Sequence, residues 1–317
     1  MVATALLATG PMSLRIVLIG QAAFAEKVLN GLVARGDDIA AVYCPPDGAR
    51  PDPVKAAADT AGIPCHQPPS YKPDAVRAEI AALAPDLIVL AFVTKIIPAA
   101  VIEVPRLGSI CFHPSLLPRY RGGSAINWQL IRGESVAGAT VFWTDPGIDT
   151  GPILLQREVP IDENHSAGSL YYKAIFPLGV ELMVDSVRMI ADGTAPRQVQ
   201  DEAVATYDPL CRDEHAAIDW ARPAREVHNL IRGCDPQPGA FTDAGAARLR
   251  LYDSRIADGS GAAGTVLALD DAGITVATGD GAVRLGKARV DGTKEKKPAA
   301  ETAADAGIEV GTRLTAG

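Results

Sequence analysis

The sequence has few cysteines, no long apolar run and no excess of basic charge. Each of these absences excludes something. The five cysteines are odd in number and lack metal-ligand spacing, which argues against a disulfide framework and reads as reduced thiols of a cytoplasmic protein. The longest strongly apolar stretch, residues 87–93, is far short of the roughly 20 residues a membrane helix needs. Residues 1–11 lack the basic start and the length of a signal peptide and are expected to be a disordered extension. The formal net charge is −8, and neither half of the chain is basic, so binding through bulk nucleic-acid electrostatics, and DNA binding with it, is not expected. The turn after the first apolar run lacks G-x-G-x-x-G, no serine or cysteine has a G-x-S-x-G setting, and there is no H-x-x-x-H pair. A dinucleotide site, a hydrolase triad and a zinc centre are therefore all disfavoured.

What remains is a soluble chain of 317 residues, 48% hydrophobic, long enough for two domains. Short apolar runs at 14–19, 39–43, 87–92 and 108–112 alternate with helical patterns at 24–35, 52–61 and 73–84. That order predicts a doubly wound, mostly parallel, Rossmann-like α/β sheet, which binds ligands at the carboxyl ends of its strands. Further strands are expected at 139–144 and 153–159, with helices at 124–132 and 169–191. After a polar connector and a helix at 219–234, the period changes to two. Strands at 247–253, 264–269, 273–278 and 282–289, separated by hairpin-type turns, predict a small antiparallel, OB-like barrel. The expected division is a catalytic domain at 12–199, a linker at 200–211 and a C-terminal domain at 212–317.

Two loops carry the chemistry. His113 ends a strand and enters a loop fixed by Pro114, Pro118, Gly122 and Gly123. Asp149 lies in a second glycine-rich loop that also follows a strand. A carboxylate beside an imidazole orients the ring, and the pair can stabilise an oxyanion and move a proton.

H-P-S-L-L-P-R-Y-R-G-G-S-A-I-N-W at 113–128, together with G-I-D-T-G-P-I-L at 147–154, resembles the 10-formyltetrahydrofolate-dependent formyltransferases. The likeness runs from G-Q-x-x-F at 20–24 through Q-D-E-x-x-x-T-Y at 200–207 and I-D-W at 218–220 to V-A-T-G-D-G at 276–281. That covers nearly the whole chain, and the C-terminal part looks most like the members acting on methionyl-tRNA. The family's site is an Asn-x-His pair plus an aspartate. His113 and Asp149 match the last two, while the asparagine position holds Cys111, a weaker donor. Members that hydrolyse the folate also lack this asparagine and share S-A-I-N-W. Cys111 is thus a candidate site residue, with a small buried strand residue as the plainer reading.

The resemblance implies a 10-formyltetrahydrofolate co-substrate and no metal. It places the folate against Ala91, Phe92, Val93 and Ile97 on one loop and Thr144, Asp145, Gly147 and Ile148 on another. Ser115, Leu116, Leu117 and Pro118 lie between them. Arg119, Arg121, Gly122, Gly123 and Asn127 are the expected substrate-binding residues. The implied reaction moves a formyl group to an amine, that of initiator methionyl-tRNA first. Hydrolysis to formate, transfer to a small amine such as an amino sugar nucleotide, and a folate- or RNA-binding protein without catalysis are the alternatives. The segment at 44–55 carries only Arg50 and Lys55 as basic residues, where tRNA-acting members have a longer basic insertion. Arg284, Lys287, Arg289, Lys294, Lys296 and Lys297 form a basic strip able to meet phosphates.

Overall fold

The computed structural model describes residues 13–245 and 247–316; the expectation for 1–11 lies outside them. Two compact units separate. One holds the described residues up to Arg121 with Gly138–Arg157 and Phe176–Thr206, and the other holds Gly122–Ala137, Glu158–Ile175 and the described part of Tyr207–Gly317.

In chain order the elements through the first sheet are β1 (Arg15–Gly20), α1 (Ala22–Arg35), β2 (Asp38–Tyr43), α2 (Pro53–Ala61), β3 (Cys65–His66), α3 (Asp74–Ala82), β4 (Leu87–Ala91), α4 (Ala99–Ile102), β5 (Ser109–His113), α5 (Ala125–Ile131), β6 (Val136–Trp143) and β7 (Ile153–Pro160). The sheet order is β3-β2-β1-β4-β5-β6-β7. Strands β3 to β5 along that order pair in parallel, and β6 runs antiparallel to β5. Strand β4 is buried along its whole length, as expected for a strand covered on both faces. Phe24, Ala25, Val28, Leu29 and Leu32 form the buried stripe of α1. Phe24 stacks on Phe112 of β5 at 4.5 Å between ring centres. Because strand side chains alternate, Phe112 facing α1 puts Cys111 and His113 together on the opposite face.

The start of α1 differs from a nucleotide-binding turn in a specific way. The Asp52 carboxylate, which caps α2 through Val54 N, also accepts from Ala22 N at 2.9 and 3.0 Å. A carboxylate of the chain itself occupies the helix terminus that would attract a pyrophosphate. Gly20 is required here, since an added Cβ would lie 2.3 Å from the Ala91 carbonyl oxygen.

The remaining elements are α6 (Ala167–Leu170), a π-wound segment (Tyr171–Ile175), α7 (Phe176–Ala191), α8 (Ala224–Gly233), β8 (Ala240–Ala244), β9 (Ala247–Ala257), β10 (Val266–Asp270), β11 (Gly273–Ala277), β12 (Ala282–Val290), β13 (Lys297–Pro298), α9 (Ala299–Asp305) and β14 (Thr315–Ala316). The helix expected at 169–191 is thus divided. Pro177, which supplies no N–H, follows closely on the π-wound turn, an irregularity that accommodates the missing donor.

The second sheet is antiparallel, ordered β10-β11-β12-β9-β8-β14. Its two edges are joined by the last described residues. Val266 N donates to Thr312 O, Gly311 N to Val266 O and Leu314 N to Gly264 O, each within 2.9 Å, before Thr315 and Ala316 pair with β8. Asp280, in the hairpin turn after β11, caps α8 by accepting from Ala224 N at 2.7 Å.

Half of the basic strip is paired with acids inside this unit. Arg284 pairs with Asp270, Lys296 with Asp235, and Lys297 with Glu301 and Asp305, while Arg289 donates to Tyr252 Oη and Thr293 O. The sequence showed six cations within fourteen positions, but it did not show the acids that fold against them. No described helix is long and apolar enough to cross a membrane.

Candidate active site

The site forms where β5 delivers His113 and the loop after β6 delivers Asp149. Both side chains are largely buried, and His113 Nδ1 lies 3.5 Å from Asp149 Oδ2. His113 Nε2 lies 2.7 Å from the Tyr120 carbonyl oxygen. A carbonyl only accepts, so Nε2 carries the hydrogen and donates it. That bond fixes the ring, and Nδ1 is the nitrogen turned toward the carboxylate.

The Asp149 loop explains its own motif. Asp145 Oδ1 accepts from Gly147 N at 3.0 Å and from Thr150 Oγ1 at 2.7 Å, closing the turn. A Cβ on Gly147 would lie 1.9 Å from Thr150 Oγ1, and one on Gly151 would lie 1.7 Å from the Trp143 carbonyl oxygen. Asp149 itself has φ of 57°, a left-handed conformation that aspartate tolerates better than most residues.

The His113 loop is stapled along its length. Ser115 Oγ donates to Arg119 O at 2.7 Å. Thr140 Oγ1 donates to Ser115 O, and it accepts from Leu117 N and from Gln156 Nε2. Tyr120, at φ of 61°, donates its N–H to Thr206 Oγ1 at 2.7 Å. Pro118 O accepts from Thr206 N, and Arg121 N donates to Thr206 O.

Gln200 ties the two loops together. Its Nε2 donates to the carbonyls of Asp149 and Gly151 at 2.9 and 2.7 Å. Its Oε1 accepts from Arg121 Nε and Nη2 at 3.2 and 2.9 Å. Arg121 also forks onto Glu202 at 3.0 and 2.6 Å. The Glu202 carboxylate, bonded to this fork, keeps the Arg121 guanidinium above its ordinary value. Gln200 and Thr206 were not singled out from the sequence. The only signal there was the Q-D-E-x-x-x-T-Y string itself.

Cys111 precedes His113 by two residues on the same face and packs near Leu117, Phe142 and Ile153. Burial pushes its thiol well above the usual range, and the Asp149 charge adds to this. It is a neutral thiol at neutral pH, available as a weak donor and not as a thiolate nucleophile.

The expected folate residues fall into two groups. Phe92 and Ile148 are 40% and 49% exposed, and Ile96 beside them in sequence is 83% exposed. Thr144, Asp145, Val93 and Ile97 are half-buried and Gly147 is exposed. By contrast Ala91, Ser115 and Leu117 are buried, while Leu116 and Pro118 are half-buried in the stapled loop. Among the expected substrate residues, Arg119 is exposed, and Arg121 is buried on Gln200 and Glu202. Gly122, Gly123 and Asn127 fall in the second unit. There Gly122, at φ of 102°, lies against the Asp208 carbonyl and Gly123 against Leu210. Asn127 Nδ2 donates to Gly233 O and Gln237 O at 2.8 and 3.0 Å. No group of three or more His, Cys, Asp or Glu residues able to hold a metal occurs among the described residues.

The formyl transferase family pattern matches residues 14–187, and the pattern of its C-terminal domain matches 211–304. The methionyl-tRNA formyltransferase of Trichlorobacter lovleyi is 39% identical, with 95% of this chain and 96% of that protein covered. The cytosolic 10-formyltetrahydrofolate dehydrogenase of Xenopus tropicalis is 42% identical over 76% of this chain, which spans only 27% of that protein. HypX from Aquifex aeolicus, solved with tetrahydrofolic acid, shares the fold at a TM-score of 0.69 and 22% identity, covering 93% of this chain and 47% of that one. With one family pattern over more than half its length and a relative matching it nearly end to end, this chain belongs to the formyl transferase family.

Proposed function

We propose that the protein transfers the formyl group of 10-formyltetrahydrofolate to the amino group of methionyl-tRNA. The observation that carries the chemistry is the His113–Asp149 pair at 3.5 Å, with the ring locked by Tyr120. The acceptor is supported by the methionyl-tRNA formyltransferase match, which extends through both family patterns.

In this reading the amine nitrogen bonds to the formyl carbon while the bond from that carbon to folate N10 breaks. The amine loses a proton and N10 gains one. His113 takes the amine's proton on Nδ1, as the protonated ring supports the oxyanion, and passes that proton to folate N10, while the Asp149 carboxylate beside Nδ1 balances the ring's charge. The exposed apolar residues Phe92, Ile96 and Ile148 offer faces for the flat rings of a folate, while Asp145, Gly147 and the Ser115 staple shape the loops. Arg121 and Gln200 act as positioning residues for Asp149, and Arg119, exposed on the same loop, meets substrate phosphate or the folate tail. The gap between the two family patterns, residues 188–210, supports a catalytic domain at 12–199, a linker at 200–211 and a C-terminal domain from 212.

The test incubates the full chain with 10-formyltetrahydrofolate, with and without methionyl-tRNA, and measures formyl-methionyl-tRNA and free formate. Formylated tRNA appearing only with the acceptor supports the proposal. Equal folate turnover in both, with formate as the product, overturns the acceptor. Cys111 and the dehydrogenase match favour that hydrolytic reading as the second one. It makes a further prediction: Cys111→Asn restores an amide donor and should raise formyl transfer by about 10-fold or more, since a missing oxyanion donor typically costs on the order of 100–1000-fold. A fall in transfer would show that the thiol, or the space it leaves, has a role of its own.

A further inference from the structure

Four of the five cysteines meet another cysteine in the fold, although the sequence scatters them. Cys211 and Cys234 make one thiol–thiol contact in the second unit. In the first unit, Cys44 Sγ and Cys65 Sγ lie 3.7 Å apart at the outer side of the sheet, Cys44 directly after β2 and Cys65 on its neighbour β3. The backbone there is already coupled: Val42 N donates to Pro64 O at 2.9 Å and Cys44 N to His66 O at 3.0 Å. We propose that Cys44 and Cys65 are a modification site, a dithiol that a small disulfide converts reversibly to an intramolecular disulfide.

The two thiols differ in the way such a pair requires. Cys65 is partly exposed and open to a small oxidant, whereas Cys44 is fully buried. The contact with Cys65, reinforced by burial, raises the Cys44 thiol, and the same contact lowers the Cys65 thiol. Cys65 is therefore the attacking sulfur and Cys44 the resolving one. In the first step the Cys65 thiolate attacks one sulfur of glutathione disulfide, forming a mixed disulfide and releasing one glutathione thiolate. In the second step Cys44 loses its proton and attacks Cys65 Sγ, forming the Cys44–Cys65 bond and releasing the second glutathione. The protein loses two electrons and two protons, and glutathione disulfide gains both. The sulfurs must close from 3.7 Å to about 2.05 Å.

On the proposed folate reading, the consequence falls beside the loop at 91–97. Pro45 and Pro68, just beyond the two cysteines in the chain, line a small pocket with Gln21, Tyr71, Val93 and Lys95. Gln67 Nε2 donates to Pro45 O at 2.7 Å, and Lys95 Nζ donates to Pro69 O at 2.9 Å. A covalent tie at 44–65 thus holds a wall shared with the loop at 91–97.

The full chain is incubated with glutathione disulfide at mildly alkaline pH, alkylated and mapped by mass spectrometry. The expected product is a linked pair of peptides carrying Cys44 and Cys65, two hydrogens lighter than the separate thiol peptides and separated again by dithiothreitol. The map also reports Cys211 and Cys234 separately. In Cys44→Ala, the mixed disulfide on Cys65 should accumulate. The proposal fails if the unmodified chain gives no 44–65 linkage while other thiols react, or if all thiols stay free. It also fails if Cys44→Ala, shown to be folded by circular dichroism, leaves Cys65 unreacted.

Discussion

His113→Ala is expected to lower turnover of 10-formyltetrahydrofolate by about 10²–10⁴-fold, the usual range for a positioned acid–base group. The side chain is largely buried, and its Nε2–H satisfies the Tyr120 carbonyl. Removing it leaves that oxygen without this partner, at a stability cost of about 1–3 kcal/mol. The variant should therefore fold, melt a few degrees lower and turn over slowly. The loss should appear in kcat and kcat/KM alike, because the interaction is made with the transition state. The measurement is single-turnover kinetics beside a thermal melt. A folded variant with a rate within a few-fold of the parent would remove His113 from the mechanism.

Asp149→Asn is the second large effect, and it isolates charge from shape. Asparagine accepts the left-handed backbone of this position (φ 57°), whereas alanine adds strain of about 1–2 kcal/mol. The Gln200 bond is to the Asp149 backbone carbonyl, so the loop clamp survives either change. With the negative charge gone from beside Nδ1, turnover should fall by about 100-fold or more, with melting little altered. Asp149→Ala should show the same kinetic loss plus a lower melting temperature. If Asp149→Asn retained most of its rate while Asp149→Ala lost it, the residue would matter for loop shape and not for its carboxylate.

Much of this site was legible because its residues carry local constraints. Gly147 and Gly151 tolerate no side chain, and Asp145 and Thr150 close the same turn, so four positions in seven are fixed by one short loop. The run at 87–91 announced a central strand through composition alone. The Arg121 assignment needed more. Its partners Gln200 and Glu202 lie some eighty positions away in the chain, so the sequence offered it as a substrate-binding residue. Gln200 was opaque for a related reason: its amide reads backbone carbonyls, which every residue has. β3 is two residues long, and β8 follows a proline-glycine run with little alternation, so neither produced a period to detect. The thiol pairs were invisible because the fold, and not neighbouring positions in the chain, brings their members together.

The seam made by residues 311–316 has a consequence for biosynthesis. Every strand of the first sheet has been made once residue 160 has left the ribosome. The second sheet has both edges open until its final strand emerges, with β10 and β8 exposing unpaired backbone in the meantime. The nascent chain thus passes through an interval with one sheet fully synthesised and the other lacking its seam. During that interval the danger of pairing with a neighbouring nascent chain is concentrated in the C-terminal unit.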